Sequence, residues 1–586
     1  MYQNINKEIA KIFKNMSHIY EFLDDKFRAL AYAKAAQIIE DLPDDIRNYV
    51  ATGKINDIRG IGSHTVDKIL EYIKTGKIQK YEELKKLIPE DFLDLMEVPG
   101  FGPKTLKRIY EELGINNKKD LIEALKDGRV AKLKGFGEKK VQNMLKGLEL
   151  YEASKNRLLL WEALQIGETL LAKLKQLKEI KNIELAGSLR RRKETIGDID
   201  ILVSCDDKDR DKIINYFVNL EDVKEVLAKG DTKASVIIKE KDRQVDLRVL
   251  KPEEWGSGLQ YFTGSKEHNV HFREIAKQKG LKVSEYGVFD AKTEKRLAGA
   301  TEEEVYEIVG MQWIPPEMRE DRGEIELALK KSIPRLVELE DIKGDLHCHS
   351  TWTDGFNTIE EIAKFLLENY KYEYFAITDH SKAVRVAHGL TEEDVLKQIE
   401  EIDRINKKLG FDFIKKGIEV DIMLDGSLDL PDEILAKLDW VVASIHTHFN
   451  RDNTDRIIKA MIKAMENPYV CVIGHPTGRT IGVREGYPLS DEIFKVAKET
   501  NTALEINAQP LRMDLPDLMI KKAVENGVKL VISTDSHSLG NFAYMKIGVA
   551  NARRGWAKKE DILNTYSWNE IKKFIQAKHK KFGVKV

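Results

Sequence analysis

The stretch GDLHCHS at residues 344–350 opens as a short buried-type strand and ends in two histidines separated by one residue. Side chains two apart in a strand point to the same side, so His347 and His349 face one space and Cys348 faces the other. The same design returns in YFAITDHS (374–381), KKGIEVD (415–421), WVVASIHTH (440–448), VCVIGHP (470–476), ALEINAQ (503–509) and LVISTDSH (530–537). Each run begins apolar and ends polar, and most are followed by a helix-like stretch. Repeated strand–helix units predict a parallel barrel, closed or nearly closed, and such barrels carry chemistry at the C-terminal ends of their strands.

Those ends collect His347, His349, Asp354, His380, Glu419, His446, His448, His475, Asp535 and His537. Eight of the 13 histidines lie between 343 and 540, and only His388 among these falls away from a strand end. A single such histidine would be an ordinary polar terminus. A whole set converging on one mouth would repel or stay unsatisfied without cations. Imidazoles mixed with carboxylates suit Zn²⁺, Mn²⁺ or Fe²⁺, with several ions sharing so many ligands. Asp535 and His537 are expected to repeat the geometry of the first pair, and Cys471 reads as a buried strand cysteine.

Upstream, GSLRRR (187–192) precedes GDIDILV (197–203), and RQVDLRVL (243–250) follows. Asp198 and Asp200 share one side of a strand, and Asp246 supplies a third carboxylate. Three clustered carboxylates repel unless divalent cations lie between them, and two Mg²⁺ ions there would clamp an in-line phosphoryl transfer. The Gly187–Ser188 turn lets backbone amides approach a triphosphate, and Arg191 is expected to neutralise its charge. Further upstream, residues 1–150 read as nearly all helix. IRGIGSHTVDKIL, VPGFGPKTLKRIY and LKGFGEKKVQNML repeat one Gly-x-Gly pattern at Gly60/Gly62, Gly100/Gly102 and Gly135/Gly137. Gly-x-Gly between helices exposes amides that bind a DNA phosphate without reading sequence.

HCHS, the TDG at 353–355, TDHS, GIEV, SIHTH, GHP and TDSH resemble the polymerase-and-histidinol-phosphatase (PHP) phosphoesterases over about 343–575. The resemblance implies a distorted barrel with a trinuclear metal centre of Mn²⁺ or Zn²⁺. Its ligands would be His347, His349, Asp354, His380, Glu419, His446, His475, Asp535 and His537; His448 is not clearly one of them and is open to touching a phosphate instead. Residues 1–318 resemble the family X DNA polymerases, of which DNA polymerase beta is the familiar member. YFTGSKEHN (261–269) resembles that family's nucleotide pocket, which implies that Tyr261 and Phe262 guard the sugar, Gly264 adjoins it and Asn269 contacts the base. SEYGVF (284–289) matches a late thumb motif. Gln244 departs from the family's arginine. The three glycine repeats resemble helix–hairpin–helix motifs. Lys68, eight residues after Gly60, matches the lysine that forms a Schiff base with an abasic sugar. Tyr32 and Lys34 also match, while Arg28 and His64 replace lysines expected near a 5′-phosphate.

Composition fits this organisation. A chain of 586 residues holds several domains. Its net charge of −2 decides nothing about nucleic acid, and residues 1–150 carry only a weak basic bias, 27 Lys+Arg against 24 Asp+Glu. Three cysteines make no disulfide framework. No run is long or apolar enough to span a membrane. The opening MYQNINKEIAKIFKNM reads as an amphipathic helix rather than a signal peptide, so a cytoplasmic monomer is expected. The expected fold is multidomain, all-α and α/β. A helical DNA-binding, lyase-like domain spans 1–80 and helical fingers 81–150. A nucleotidyltransferase palm of α+β type spans 151–250 and a thumb 251–318. A linker at 319–342 leads to the PHP barrel at 343–586. The expected function is a DNA repair polymerase filling short gaps with deoxynucleoside triphosphates at 3′ primer ends, using Mg²⁺ or Mn²⁺. A metal-dependent 3′-5′ exonuclease, and cleavage beside abasic sites, are expected from the barrel. A DNA-end scaffold with inactive sites and a small-molecule phosphatase are the rival readings.

Overall fold

The computed structural model describes residues 5–40, 42, 45–58, 60–98, 100–155, 157–446 and 453–584. Residues up to 155 are helical, from Asn6–Phe22 to Glu138–Lys155. One buried cluster, which includes Ile9, Phe13, Ile69, Phe92, Phe101, Ile109 and Leu121, runs across residue 80. The three glycine repeats share one construction. The middle residues Ile61, Phe101 and Phe136 are buried. Their N–H groups close on the carbonyls of Ile58, Val98 and Leu133 at 3.2, 3.0 and 3.0 Å. The first glycines have φ of 91°, 89° and 81°, and the next helix starts directly after each second glycine. Burying the middle side chain turns the flanking backbone outward, which leaves Gly60, Gly62, Gly100 and Gly135 exposed and Gly102 and Gly137 half-buried.

The palm is a five-stranded sheet in the order Asn182–Leu185, Ile199–Ser204, Arg243–Leu250, Lys233–Ile238, Val223–Lys229. The parallel pairing of Ile199–Ser204 with Arg243–Leu250 puts Asp200 in register with Asp246. The thumb follows with the helices Trp255–Thr263, Lys266–Gln278 and Glu302–Ile308 and a three-stranded sheet over Leu281–Ser284, Gly287–Asp290 and Arg296–Ala298. Residues 319–342, expected as a linker with some helix, hold a short helix and pack onto the thumb. The helix Glu324–Leu329 buries Ile325 and Ala328, and with Leu336 they join Phe272, Tyr306 and Met318 in the thumb core. Arg319 is fully buried on Glu302 at 2.7 Å. Of the charges that suggested a linker, Arg319, Glu320, Asp321, Arg322, Glu324, Glu338 and Asp341 are paired within the fold.

Seven parallel strands in chain order form the barrel: Gly344–Asp345, Tyr374–Ile377, Ile414–Asp421, Trp440–Ser444, Val472–Ile473, Ala503–Asn507 and Leu530–Ser533. A parallel bridge between Cys348 and Ser536 brings the first strand's exit to the last strand's exit, with the His349 N–H donating to the Ser536 carbonyl at 2.8 Å. The barrel is docked on the polymerase-like half. Met513 and Ile547 are buried in the palm's cluster, Trp161 and Tyr544 meet edge-to-face at 5.2 Å, and Arg479 pairs with Glu194 at 2.8 Å. Among the described residues no helix is long and apolar enough to cross a membrane.

The hairpins permit a contrast. A Cβ at Gly100 would combine a φ of 89° with a 2.9 Å approach to Met144 Cγ, whereas one at Gly102 meets open space. Gly100→Ala is expected to destabilise the helical domain by about 1–2 kcal/mol. Gly102→Ala should stay within about 0.5 kcal/mol of the parent. Urea unfolding followed by circular dichroism measures both, and equal stabilities would refute the left-handed hairpin geometry.

Candidate functional site

The barrel mouth gathers its donors into three groups whose ligand atoms lie within 4.8 Å of one another: His349, Asp354, His380 and His537; His347, His349 and Asp535; and His380, Glu419 and His446. His475 stands outside these groups but its Nε2 is 3.0 Å from Glu419 Oε1. The nine expected residues therefore form one connected cluster. His448 lies outside the described residues. Strand geometry alone does not deliver them. The first strand ends at Asp345, two residues before His347, yet the His347 and His349 rings stand 5.2 Å apart and Cys348 is buried in the barrel core on the far side. Asp535 does not repeat that extended geometry. It takes a φ of 51° beyond the last strand, and the turn folds His537 back so that its Nδ1 lies 2.9 Å from the Asp535 carbonyl.

Electrostatics mark the mouth as a place for cations. His347 Nε2, His349 Nδ1, His380 Nδ1, Glu419 Oε2 and His475 Nδ1 are buried without a hydrogen-bond partner. Burial and the neighbouring imidazoles of His537 and His380 push His349 down to about 3. Burial opposes charge on His446 too, but Glu419 and Asp421 outweigh it and raise that histidine to about 9. Asp354 likewise overcomes burial and raises His537 to about 9. The carboxylates thus hold protons on some imidazoles where a metal ion, which needs the neutral ring, would displace them. Neutral nitrogen and carboxylate donors at this density fit transition metals.

Two carboxylates absent from the motif set contact these candidate ligands. Glu505 Oε1 lies 2.6 Å from His347 Nδ1, and Asp421 Oδ1 lies 2.8 Å from His446 Nδ1. Asn507 Nδ2 donates to Glu505 at 3.3 Å and to Asp535 at 3.0 Å. The signal was present: Glu505 interrupts the apolar run ALEIN, and Asp421 stands two residues beyond Glu419 on the same strand.

In the palm, Asp198, Asp200 and Asp246 bring carboxylate oxygens within 4.8 Å of one another. Burial, then the charges of Asp198 and Asp246, push Asp200 up to about 7, while Arg248 and Arg191 pull the other way. Gly187 has a φ of 58°, and a Cβ there would sit 2.2 Å from Asp200 Oδ2, so the turn carrying Ser188 can lie on the acids only without a side chain. Gln244 Nε2 donates to Asp246 Oδ1 at 3.1 Å. Tyr261 and Phe262 meet edge-to-face at 5.1 Å, with Arg248 4.2 Å above the Phe262 ring. Asn269 Nδ2 donates to the Tyr261 carbonyl at 2.7 Å, which ties the expected base-contacting residue to the expected sugar guard. Arg191 reaches the turn at Gly264, donating to the Thr263 carbonyl at 2.5 Å, and its Nε also donates to Glu320 at 3.1 Å. It is thus a paired cation, an engagement that spacing did not foreshadow.

Lys68 donates from Nζ to the His64 carbonyl at 3.0 Å and stands 5.9 Å over the Tyr32 ring. This is a wetter setting than the desolvated pockets in which lysine nucleophiles are activated. Tyr32 itself is half-buried and stacks on Tyr20 at 5.5 Å.

Family models match along the chain: a helix-hairpin-helix domain over 4–78, a SAM-like helix-hairpin-helix tandem over 54–114 and 92–149, the DNA polymerase beta palm over 160–248, the DNA polymerase beta thumb over 258–320 and the PHP domain over 345–509. The chain is 26% identical to DNA polymerase lambda of Arabidopsis thaliana over 54% of its length and 62% of that protein's. It is 33% identical to a probable phosphatase of Thermoanaerobacter sp. (strain X514) over 41% of its length and 96% of that protein's. A third relative aligns almost end to end. Being 39% identical, over 97% of its length and 99% of the relative's, to the DNA polymerase/3'-5' exonuclease PolX of Bacillus subtilis (strain 168), the chain belongs to the family of family X DNA polymerases that carry a C-terminal PHP domain.

Proposed function

We propose that this protein extends DNA primers across short gaps at its palm and removes nucleotides from DNA 3′ ends at its barrel. The observation that carries this reading is the pairing, on one chain, of two separate donor sets that each demand cations: the three palm aspartates and the nine-residue barrel mouth.

In the palm, Asp198, Asp200 and Asp246 would hold Mg²⁺, with Mn²⁺ as a substitute. Two such ions would neutralise the acids and stabilise charge on the transferring phosphoryl group. Gly187 and Ser188 bring backbone amides to the triphosphate. Arg191 faces its charge, Tyr261 and Phe262 pack against the sugar beside Gly264, and Asn269 meets the base. Gln244 steadies the Asp246 carboxylate. At the barrel, the nine donors would hold Mn²⁺ or Zn²⁺, up to three ions, which supply a water of lowered pKa and polarise the phosphodiester. Glu505 and Asp421 fix the rings of His347 and His446 so that each presents its Nε2 to the mouth. The amides of Gly60, Gly62, Gly100, Gly102, Gly135 and Gly137 hold the duplex by its phosphates, which suits an enzyme that meets every sequence. A phosphatase of small molecules has no use for such a grip. The protein acts as a monomer in the cytoplasm on gapped duplexes and deoxynucleoside triphosphates, and repair is the role that short gaps imply.

Separate sites should fail separately. Asp200→Ala is expected to lower primer extension by on the order of 100-fold or more while exonuclease activity persists. Extension near the parent rate would remove the aspartates from the reaction. The double variant His347→Ala/His349→Ala should lose degradation of a labelled primer and keep extension. In the parent protein Mn²⁺ should support that degradation better than Mg²⁺, since imidazole favours transition metals. Undiminished degradation would place the nuclease elsewhere. Glu505→Gln is expected to cost roughly 10–100-fold in exonuclease rate or metal affinity, read by metal titration of the activity. An unchanged titration would reduce Glu505 to a packing residue.

A further inference from the structure

The last turn of the barrel helix Met545–Arg554 reaches the palm's nucleotide turn. This helix follows the ligand His537 and packs on the strands Ala503–Asn507 and Leu530–Ser533 on one side and on Pro316–Met318 at the end of the thumb on the other. Arg554 at its end is buried. One of its amino groups donates to the Arg191 carbonyl at 2.7 Å and to Glu320 Oε1 at 3.0 Å. The other donates to Asp517 at 2.6 Å. Glu320 Oε1 also accepts from Arg191 Nε at 3.1 Å, so two arginines from different domains share one carboxylate oxygen. Although Glu320 is largely buried, Arg191 and then Arg554 hold its carboxyl below the usual range.

We propose that the barrel sets nucleotide affinity in the palm: Arg554 is a positioning residue that shares Glu320 with Arg191 and fixes the Arg191 backbone, leaving the Arg191 charge available to a triphosphate. The proposal rests on the reading of Arg191 as a triphosphate contact. The physics is that of a buried triad. Arg554 divides its charge between Glu320 and Asp517, and Asp517 also pairs with Arg322 at 3.0 Å. Glu320 is therefore offset by Arg191 and by part of Arg554, and Arg191 keeps an excess of positive charge. Without Arg554 the buried carboxylate has Arg191 alone, because a buried charge left unpaired is costly. Glu320 then holds the guanidinium more tightly, and the Arg191 carbonyl loses its donor. A triphosphate arriving at Gly187 and Gly264 must compete for a cation that is already spent.

Steady-state primer extension by the full chain tests this, with exonuclease activity measured on the same preparations. Arg554→Ala is expected to raise KM for deoxynucleoside triphosphate on the order of tenfold, with kcat and exonuclease rate each within about twofold of the parent. Arg554→Lys, which keeps the charge on Glu320, should recover most of that loss. Arg191→Ala should itself raise KM, and Arg191→Ala/Arg554→Ala should be no worse than Arg191→Ala, since the second residue acts only through the first. An unchanged KM in Arg554→Ala beside a raised one in Arg191→Ala overturns the coupling and leaves the nucleotide site standing. Equal loss of extension and exonuclease in Arg554→Ala, or multiplied losses in the double variant, also overturns it. An unchanged KM in Arg191→Ala overturns the nucleotide-site reading, and the coupling with it.

Discussion

Everything in this molecule turns on crowding ionisable donors close together. Three aspartates converge in the palm, and nine imidazoles and carboxylates converge at the barrel mouth. Such arrangements oppose folding unless cations offset them and a rigid frame holds the donors. The frame is visible in both places. The palm fixes Asp200 beside Asp246 by parallel strand register. The barrel places its candidate ligands at or beyond the ends of six of its seven strands and closes the ring between Cys348 and Ser536, whose neighbours include His347, His349, Asp535 and His537. Each frame holds a donor set whose chemistry suits divalent metal ions.

The two halves are built into one another. Barrel residues Met513 and Ile547 are part of the palm's buried cluster, and the barrel's Arg553 pairs with Glu317 of the thumb at 2.8 Å. The segment 319–342 contributes to this by packing into the thumb core, which removes the slack a free linker would give. A barrel helix that touches its own sheet and the polymerase nucleotide turn makes nuclease and polymerase neighbours in a mechanical sense. It also gives Arg554 its opportunity to act at a site in another domain.

Much of the site was legible in one dimension because the chemistry needs particular atoms at the ends of particular elements. The pairs His347/His349 and Asp198/Asp200 declare themselves by a spacing of two, and Asp246 by its place in a later strand. The triple Gly-x-Gly pattern announced hairpins whose middle residue is buried. Less legible were residues that act through others. Glu505 and Asp421 look like isolated acids in apolar strands until the fold brings them to His347 and His446. Asp535 and His537 share the spacing of the first histidine pair, but a positive φ at Asp535 delivers them by a turn rather than by a strand.

The sequence by itself determined the family and most element types, and it named the candidate metal donors. Those depend on local periodicity and on side-chain chemistry, which travel with the residue wherever it is placed. Only the tertiary structure decided which candidate donors stand within reach of one another, that Arg191 is already paired, and that Arg554 stands beside it from 363 positions away in the chain. Pairings of that kind depend on distance in space between buried charges, and strength falls steeply with that distance while sequence separation says nothing about it.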